Sequence, residues 1–186
     1  MNMYTLPSNI PIPKDDGACD DLVDKRIPDI SLLNQDEKML KLNRSSDTFR
    51  IVLYCFPMTG HPEKTLPSNW NNIPGARGCT PQTCSFRDNY DEIMKFNALP
   101  IGMSTQSTAE LKEMSLRLKI PYDLVSDQDL KFSKTMKLPI FTINNKEYIK
   151  RLTLIIERSI IKYVFYPIFP PDQHVFDVIK WLKKND

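Results

Sequence analysis

At 186 residues and 21.6 kDa the chain fits one domain, large enough to bury a core without help from disulfides or metals. Its 25 basic and 23 acidic residues nearly cancel, and no long face alternates Lys or Arg with aromatics, which argues against a nucleic-acid partner. The longest apolar stretch, residues 152–169, is broken by Glu157, Arg158, Lys162 and Pro167, so no membrane span is expected.

Residues 1–26 read as a polar arm containing Pro7, Pro11 and Pro13, expected to pack loosely over a single domain spanning 27–186. The arm has no charged segment followed by an apolar one, so it does not read as a secretory signal and a cytoplasmic setting is expected. In a reducing compartment thiols stay free unless they are catalytic or sensing, so each of the four cysteines is weighed singly.

From Pro28 onward, two short alternating runs ending at Leu33 and Leu42 read as a hairpin. Phe49 to Phe56 is nearly continuous in branched and aromatic residues and reads as a central strand buried on both faces, with Cys55 as packing. Pro57 ends it. The next stretch carries Pro62, Pro67, Pro74, Gly60 and Gly75 and reads as a long irregular loop, a kind of segment that is usually functional.

A helix follows, with Phe86, Tyr90, Ile93 and Met94 on one stripe and Cys79 at its head, while Cys84 falls toward the flank of Asp88 and Asp91. Pro81 suits a first helical turn, where its missing N–H leaves nothing unpaired. Leu99 to Ser104 reads as a strand, and Ser107-Thr108-Ala109-Glu110 as a capping box opening a helix with Leu111, Met114 and Leu118 inward. Leu124 to Ser126 reads as a short strand, Leu130 to Met136 as a short helix, and Leu152 to Ile156 with Ile160 to Tyr166 as a strand pair. A final helix from Asp172 carries Val175, Phe176, Val178, Ile179 and Leu182. This alternation predicts an α/β fold with an antiparallel pair near the end.

The chemistry concentrates at Cys79 and Cys84. Gly78 permits close backbone approach, and the N–H groups of a first helical turn favour negative charge on a sulfur placed there. Five residues apart on an intact helix, the two Cα atoms stand about 8 to 9 Å from each other. That exceeds disulfide reach, so pairing would require the first turns to unwind. A zinc site would need two further ligands, and only His61, His174 and the remote Cys19 and Cys55 are on hand, so no metal is expected.

The run Gly78-Cys79-Thr80-x-Gln82-x-Cys84-x-Phe86-Arg87-Asp88 resembles the active-site signature of the PrxQ, or bacterioferritin comigratory protein, branch of the peroxiredoxins. The resemblance extends from about Pro28 to the C-terminus: Phe49 to Pro57 resembles the strand leading into the active-site loop, and Lys150 to Ile156 the strand that bears the family's arginine. It implies a thioredoxin-like fold with a central mixed sheet flanked by helices. It also implies a peroxidase that uses no cofactor, with Cys79 attacking a peroxide to give a sulfenic acid and Cys84 resolving it as an intramolecular disulfide. Thioredoxin or a similar dithiol would restore both thiols. Arg151 would supply positive charge beside the thiolate. Cys19, an incidental thiol by its place in the arm, stays open as a second resolving group.

One departure stands out. The family's Pro-x-x-x-Thr-x-x-Cys has Asn72 and Ala76 at its proline and threonine positions here, and Pro57 lies 15 residues further from the cysteine than the motif proline. Pro57-Met58-Thr59-Gly60 reads as the displaced half of the motif, with Thr59 as the missing hydroxyl and Thr65 and Thr80 as rivals; the insertion from Met58 to Arg77 would lid the pocket. A non-catalytic thioredoxin-like interaction module and a thiol-disulfide exchanger are the alternatives, and the chain is expected as a monomer or a homodimer.

Overall fold

A computed structural model describes residues 9–186. The part of the arm before residue 9 lies outside the described residues.

The strands are β1 (Ser31–Asn34), β2 (Met39–Lys41), β3 (Arg50–Cys55), β4 (Ala98–Ser104), β5 (Leu124–Ser126), β6 (Ile140–Ile143), β7 (Lys146–Ile149), β8 (Leu152–Glu157) and β9 (Ile160–Phe165). The helices are α1 (Leu42–Thr48), α2 (Cys79–Asp88), α3 (Tyr90–Met94), α4 (Thr108–Leu118), α5 (Lys131–Met136) and α6 (His174–Lys184). Seven strands form one mixed sheet in the order β2-β1-β5-β4-β3-β8-β9, in which β3, β4 and β5 run parallel and the remaining pairs antiparallel. The expected α/β architecture, a central mixed sheet flanked by helices, is the one observed.

β3 is the middle of the core. Ile51, Leu53 and Cys55 enter the cluster on one face, with Leu42 of α1, Phe132 and Met136 of α5, and Leu152, Leu154 and Ile156 of β8. Val52, Tyr54 and Phe56 enter the cluster on the other, with Phe86 of α2, Ile93 of α3, Leu111, Met114 and Leu118 of α4, and Val175 and Val178 of α6. The period of two in the strand thus feeds both layers, which is why the run carries no polar residue between Ile51 and Phe56. Burying each such aliphatic or aromatic side chain contributes roughly 1.5–3 kcal/mol. Gly102 on β4 lets the sheet close over Tyr54: a Cβ there would stand 2.7 Å from the tyrosine oxygen and 2.6 Å from a Leu124 methyl.

The capping box forms as read, with Ser107 Oγ accepting from Glu110 N and Glu110 accepting from Ser107 N. Three features differ from the expectation. The helix read through Met94 breaks at Asn89, whose φ of −111° and ψ of 16° are not helical and whose side-chain amide donates to Ser85 O. α1 and the β6–β7 hairpin were not anticipated: α1 buries only Leu42 and Ser46, and β6 and β7 turn through Asn144 and Asn145, both with positive φ. The third difference is the arm, which is not loosely packed. Cys19 and Leu22 belong to the core, Asp24 N and Ile161 N donate to Ile161 O and Lys25 O, and Asp16 accepts from Lys150 Nζ and Tyr166 Oη. Phe176 is half exposed on α6.

Candidate active site

The turn before α2 fixes the position of the first cysteine. Gly78 caps the helix with φ 98°, a conformation that strongly favours glycine, and Cys79 follows as the first helical residue, so the unpaired first-turn N–H groups surround it. Cys79 Sγ lies 3.6 Å from Ala76 O and accepts from Arg151 Nη2 at 3.1 Å.

Arg151 comes from the other side of the sheet order. It immediately precedes β8, and the pairing of Cys55 with Leu152 places it at the end of β3 from which the loop to α2 departs. The guanidinium is 3% exposed and holds Gly75 O at 3.1 Å, Arg77 O at 3.0 Å, the Cys79 sulfur and Gln82 Oε1. Gln82 is wholly buried one helical turn after Cys79, on the same face, and its carbonyl oxygen orients the arginine. Its spacing of three from Cys79 is what puts the two side chains on one side of the helix.

Cys84 lies further along α2, half-buried against the cluster that holds Phe86. Burial pushes its thiol above the ordinary range, with the guanidinium of Arg87 pulling the other way. The helix that carries both cysteines is anchored sideways: Tyr122 Oη donates to Thr83 O at 3.1 Å, Tyr54 stacks on Phe86 at 4.4 Å and 6°, and Ser85 Oγ donates to Asp172 O at 2.7 Å. All four cysteines are unpaired. Burial and the carboxylates of Asp16, Asp15 and Asp20 push Cys19 up to about 12, and burial in β3 raises Cys55 well above its ordinary value, so both rest as neutral packing thiols.

Cys79 lines a cavity of about 380 Å³. Its other walls are the start of α2 and the insertion, with Met58, Leu66 and Trp70 giving apolar surface, Lys64 and Arg77 giving cationic groups and His61 an imidazole. Trp70 holds the insertion down by packing edge-on to Tyr148 of β7 at 5.0 Å. Thr59 is placed differently from the expectation. Its hydroxyl donates to Gln106 Oε1 at 3.2 Å and lies 3.0 Å from Met114 Sδ, and Gln106 also accepts from Thr59 N and donates to Thr59 O. Thr59 therefore lines a smaller neighbouring cavity of about 150 Å³, whereas Thr65 and Thr80 line the one with Cys79. The reason is that Gln106 satisfies every polar group of Thr59 and ties it to the end of β4.

Among the described residues no group of three or more His, Cys, Asp or Glu is placed to hold a metal ion. His174 is buried against Phe165 and Phe86, hydrogen-bonded to Thr153 Oγ1 at 2.9 Å, and held down to about 3 by burial, with the Arg151 charge adding to it. His61 instead faces Glu113 at 3.8 Å. No helix among the described residues is long and apolar enough to cross a membrane.

The sequence profile described as the AhpC/TSA family matches residues 71–164, more than half of the chain. The chain belongs to that family. Curated relatives include peroxiredoxin Q, chloroplastic, of Oryza sativa subsp. japonica, 27% identical over 157 residues, and that of Arabidopsis thaliana, 28% identical over 157 residues. Each alignment covers 84% of this chain and 64% of the relative's length, so the chain spans less than two thirds of those proteins. Among solved structures, peroxidoxin BcpB from Mycobacterium tuberculosis superposes with a TM-score of 0.73 at 20% identity, covering 88% of this chain and 97% of that one. A PrxQ variant from Xylella fastidiosa gives 0.71 at 18% identity, covering 88% and 96%. These likenesses show the thioredoxin-like fold of the peroxiredoxins.

Proposed function

We propose that the chain is a thiol-dependent peroxidase that reduces hydrogen peroxide or small organic hydroperoxides. The observation that carries this reading is the 3.1 Å contact between Arg151 Nη2 and Cys79 Sγ at the head of α2, beside a cavity that a peroxide fits. In this reading the Cys79 sulfur attacks the nearer peroxide oxygen. The O–O bond breaks, water or an alcohol leaves after taking a proton, and the sulfur becomes a sulfenic acid. Arg151 balances negative charge first on the sulfur and then on the departing oxygen. The hydroxyl facing the peroxide comes from Thr80 or Thr65, which line the cavity, in place of Thr59. Cys84 then displaces water from the sulfenic sulfur to form the Cys79–Cys84 disulfide once α2 has opened. A dithiol such as thioredoxin reduces that bond by exchange. A reducing compartment, proposed as the cytoplasm although the curated relatives are named chloroplastic, suits four unpaired thiols; a tagged protein found within an organelle would refute that placement.

Replacing Cys79 with Ser removes the attacking sulfur, so peroxide consumption coupled to thioredoxin reductase falls to background. Consumption at the wild-type rate in that variant rejects the proposal. One observation favours the second reading, a non-catalytic interaction module: Ala76 stands where the family motif has its threonine. Mass spectrometry after one equivalent of peroxide separates the two. Loss of two hydrogens from the peptide with Cys79 and Cys84 supports the peroxidase, and an unchanged mass supports the module.

A further inference from the structure

Arg151 faces a second cavity. It measures about 300 Å³, at the small end of the range of roughly 300–1,000 Å³ for ligand pockets. Its walls come from parts of the chain far apart in sequence: Pro13 and Lys14 of the arm, Ile73 to Gly75 before α2, Phe141 of β6, and Lys150, Arg151, Tyr166 and Pro167. The apolar walls are Pro13, Ile73, Pro74, Phe141 and Pro167, and the polar ones are dominated by cations. No carboxylate among the described residues lines it. Asp16, an acid tied to this region, is engaged by Lys150 Nζ at 2.6 Å and Tyr166 Oη at 2.7 Å.

Two donors remain over. Lys14 has no ion-pair partner among the described residues and stands exposed at the rim. Arg151 places its Nη atoms on Gly75 O, Arg77 O, Gln82 Oε1 and Cys79 Sγ, but its Nε is buried without a hydrogen-bond acceptor. A buried N–H of a charged group without an acceptor is rare in a folded protein, and it leaves the guanidinium with a donor that no group of the chain satisfies. An apolar hollow walled in part by Arg151, with an exposed ammonium at its edge, is complementary to a molecule with an apolar body and a single anionic head.

We propose that this cavity binds a small amphipathic carboxylate, with Lys14 and Arg151 as the cationic partners of its head and Phe141, Ile73 and Pro167 around its body. Because the same guanidinium holds the Cys79 sulfur, occupancy withdraws part of the arginine's charge from the sulfur and slows the reaction with peroxide; this consequence, unlike the binding itself, rests on the function proposed above. The arm supplies Pro13 and Lys14, so the site exists only while the arm is folded down.

The test is isothermal titration of the reduced full-length protein with sodium octanoate, with octanol as the neutral probe of similar body. The expected result is saturable one-to-one binding of octanoate, at least tenfold weaker binding of octanol, and at least a fivefold loss of octanoate affinity in Lys14→Glu. Ile73→Trp, which fills the hollow, abolishes binding while circular dichroism shows the fold retained. Absence of saturable octanoate binding to the wild type overturns the proposal, and so does equal affinity for octanol or an unchanged affinity in Lys14→Glu. Binding is read without peroxide, so its failure is distinguishable from a failure of the peroxidase reading. If binding holds, saturating octanoate slows peroxide consumption by the wild type at least threefold and leaves that by Lys14→Glu nearly unaffected at the same concentration.

Discussion

Arg151 engages four acceptors at once, two carbonyls of the turn before α2, the amide oxygen of Gln82 and the Cys79 sulfur. A planar guanidinium does this because its N–H groups diverge in a fixed fork, whereas an ammonium is a point charge on a flexible stem. Charge alone therefore does not reproduce the site. Arg151→Lys keeps the positive charge but cannot reach the sulfur, Gln82 and both carbonyls together. We expect it to lower the second-order rate constant for peroxide by roughly 10²–10³, the loss typical when one preorganised donor to developing negative charge is removed. Stopped-flow measurement of peroxide consumption reads this directly, with far-UV circular dichroism as the check on folding. A rate within threefold of wild type would show that the arginine's geometry is irrelevant. Thr59 makes the complementary point: a hydroxyl close in sequence to the expected motif is unavailable when a neighbour, here Gln106, has taken its hydrogen bonds.

At the level of elements, the decisive piece is α2, because both cysteines ride on it and an intact helix holds their Cα atoms about 8 to 9 Å apart, beyond disulfide reach. Whatever anchors this helix sets how readily the thiols meet. The phenol of Tyr122 holds Thr83 O one residue before Cys84 and also meets Tyr54 Oη at 3.0 Å, and Tyr122→Phe deletes both contacts, only the first of them to the helix, with little change of shape. Losing one hydrogen bond removes about 1 kcal/mol from the closed helix, enough to speed opening about fivefold. Rapid-quench trapping of the disulfide after a peroxide pulse should show that acceleration, and a rate equal to or below wild type would contradict it. Much of this framework was legible in the sequence. The alternation of β3 between two buried faces, the Ser107 capping box and the Gly78-Cys79 helix start are local patterns that need only their own neighbours. The break at Asn89, the short α1 and the fate of Thr59 were not legible, because each depends on contacts from distant parts of the chain. The β6–β7 hairpin is an intermediate case: Asn144-Asn145 between two short runs is a turn signal, but β6 buries no residue fully and the runs read weakly as strands.

Across the whole molecule the arm acts as a strap from residue 9 to β9 and the loop carrying Arg151. Leu22 buries its side chain in the core, which contributes roughly 1.5–3 kcal/mol against a net stability of about 5–15 kcal/mol for a domain. Its outer end is fastened by charge. Lys150 and Tyr166, donating hydrogen bonds, pull the Asp16 carboxyl down to about 2 from an ordinary 3.8. A carboxyl lowered on folding stabilises the protein above its unfolded pKa, and that contribution fades as pH falls toward the folded value. The fastening is therefore complete at neutral pH, weakens below about pH 4 and is gone below about pH 2. The side chain of Asp16 is 45% exposed, so solvent screening keeps the contribution below about 1 kcal/mol. Asp16→Asn is expected to lower the urea midpoint slightly at pH 7, and the gap from wild type should close steadily between pH 4 and pH 2. A gap that stays constant down to pH 2 would mean that Asp16 acts through packing or neutral hydrogen bonds, and that the strap is not held by its charge.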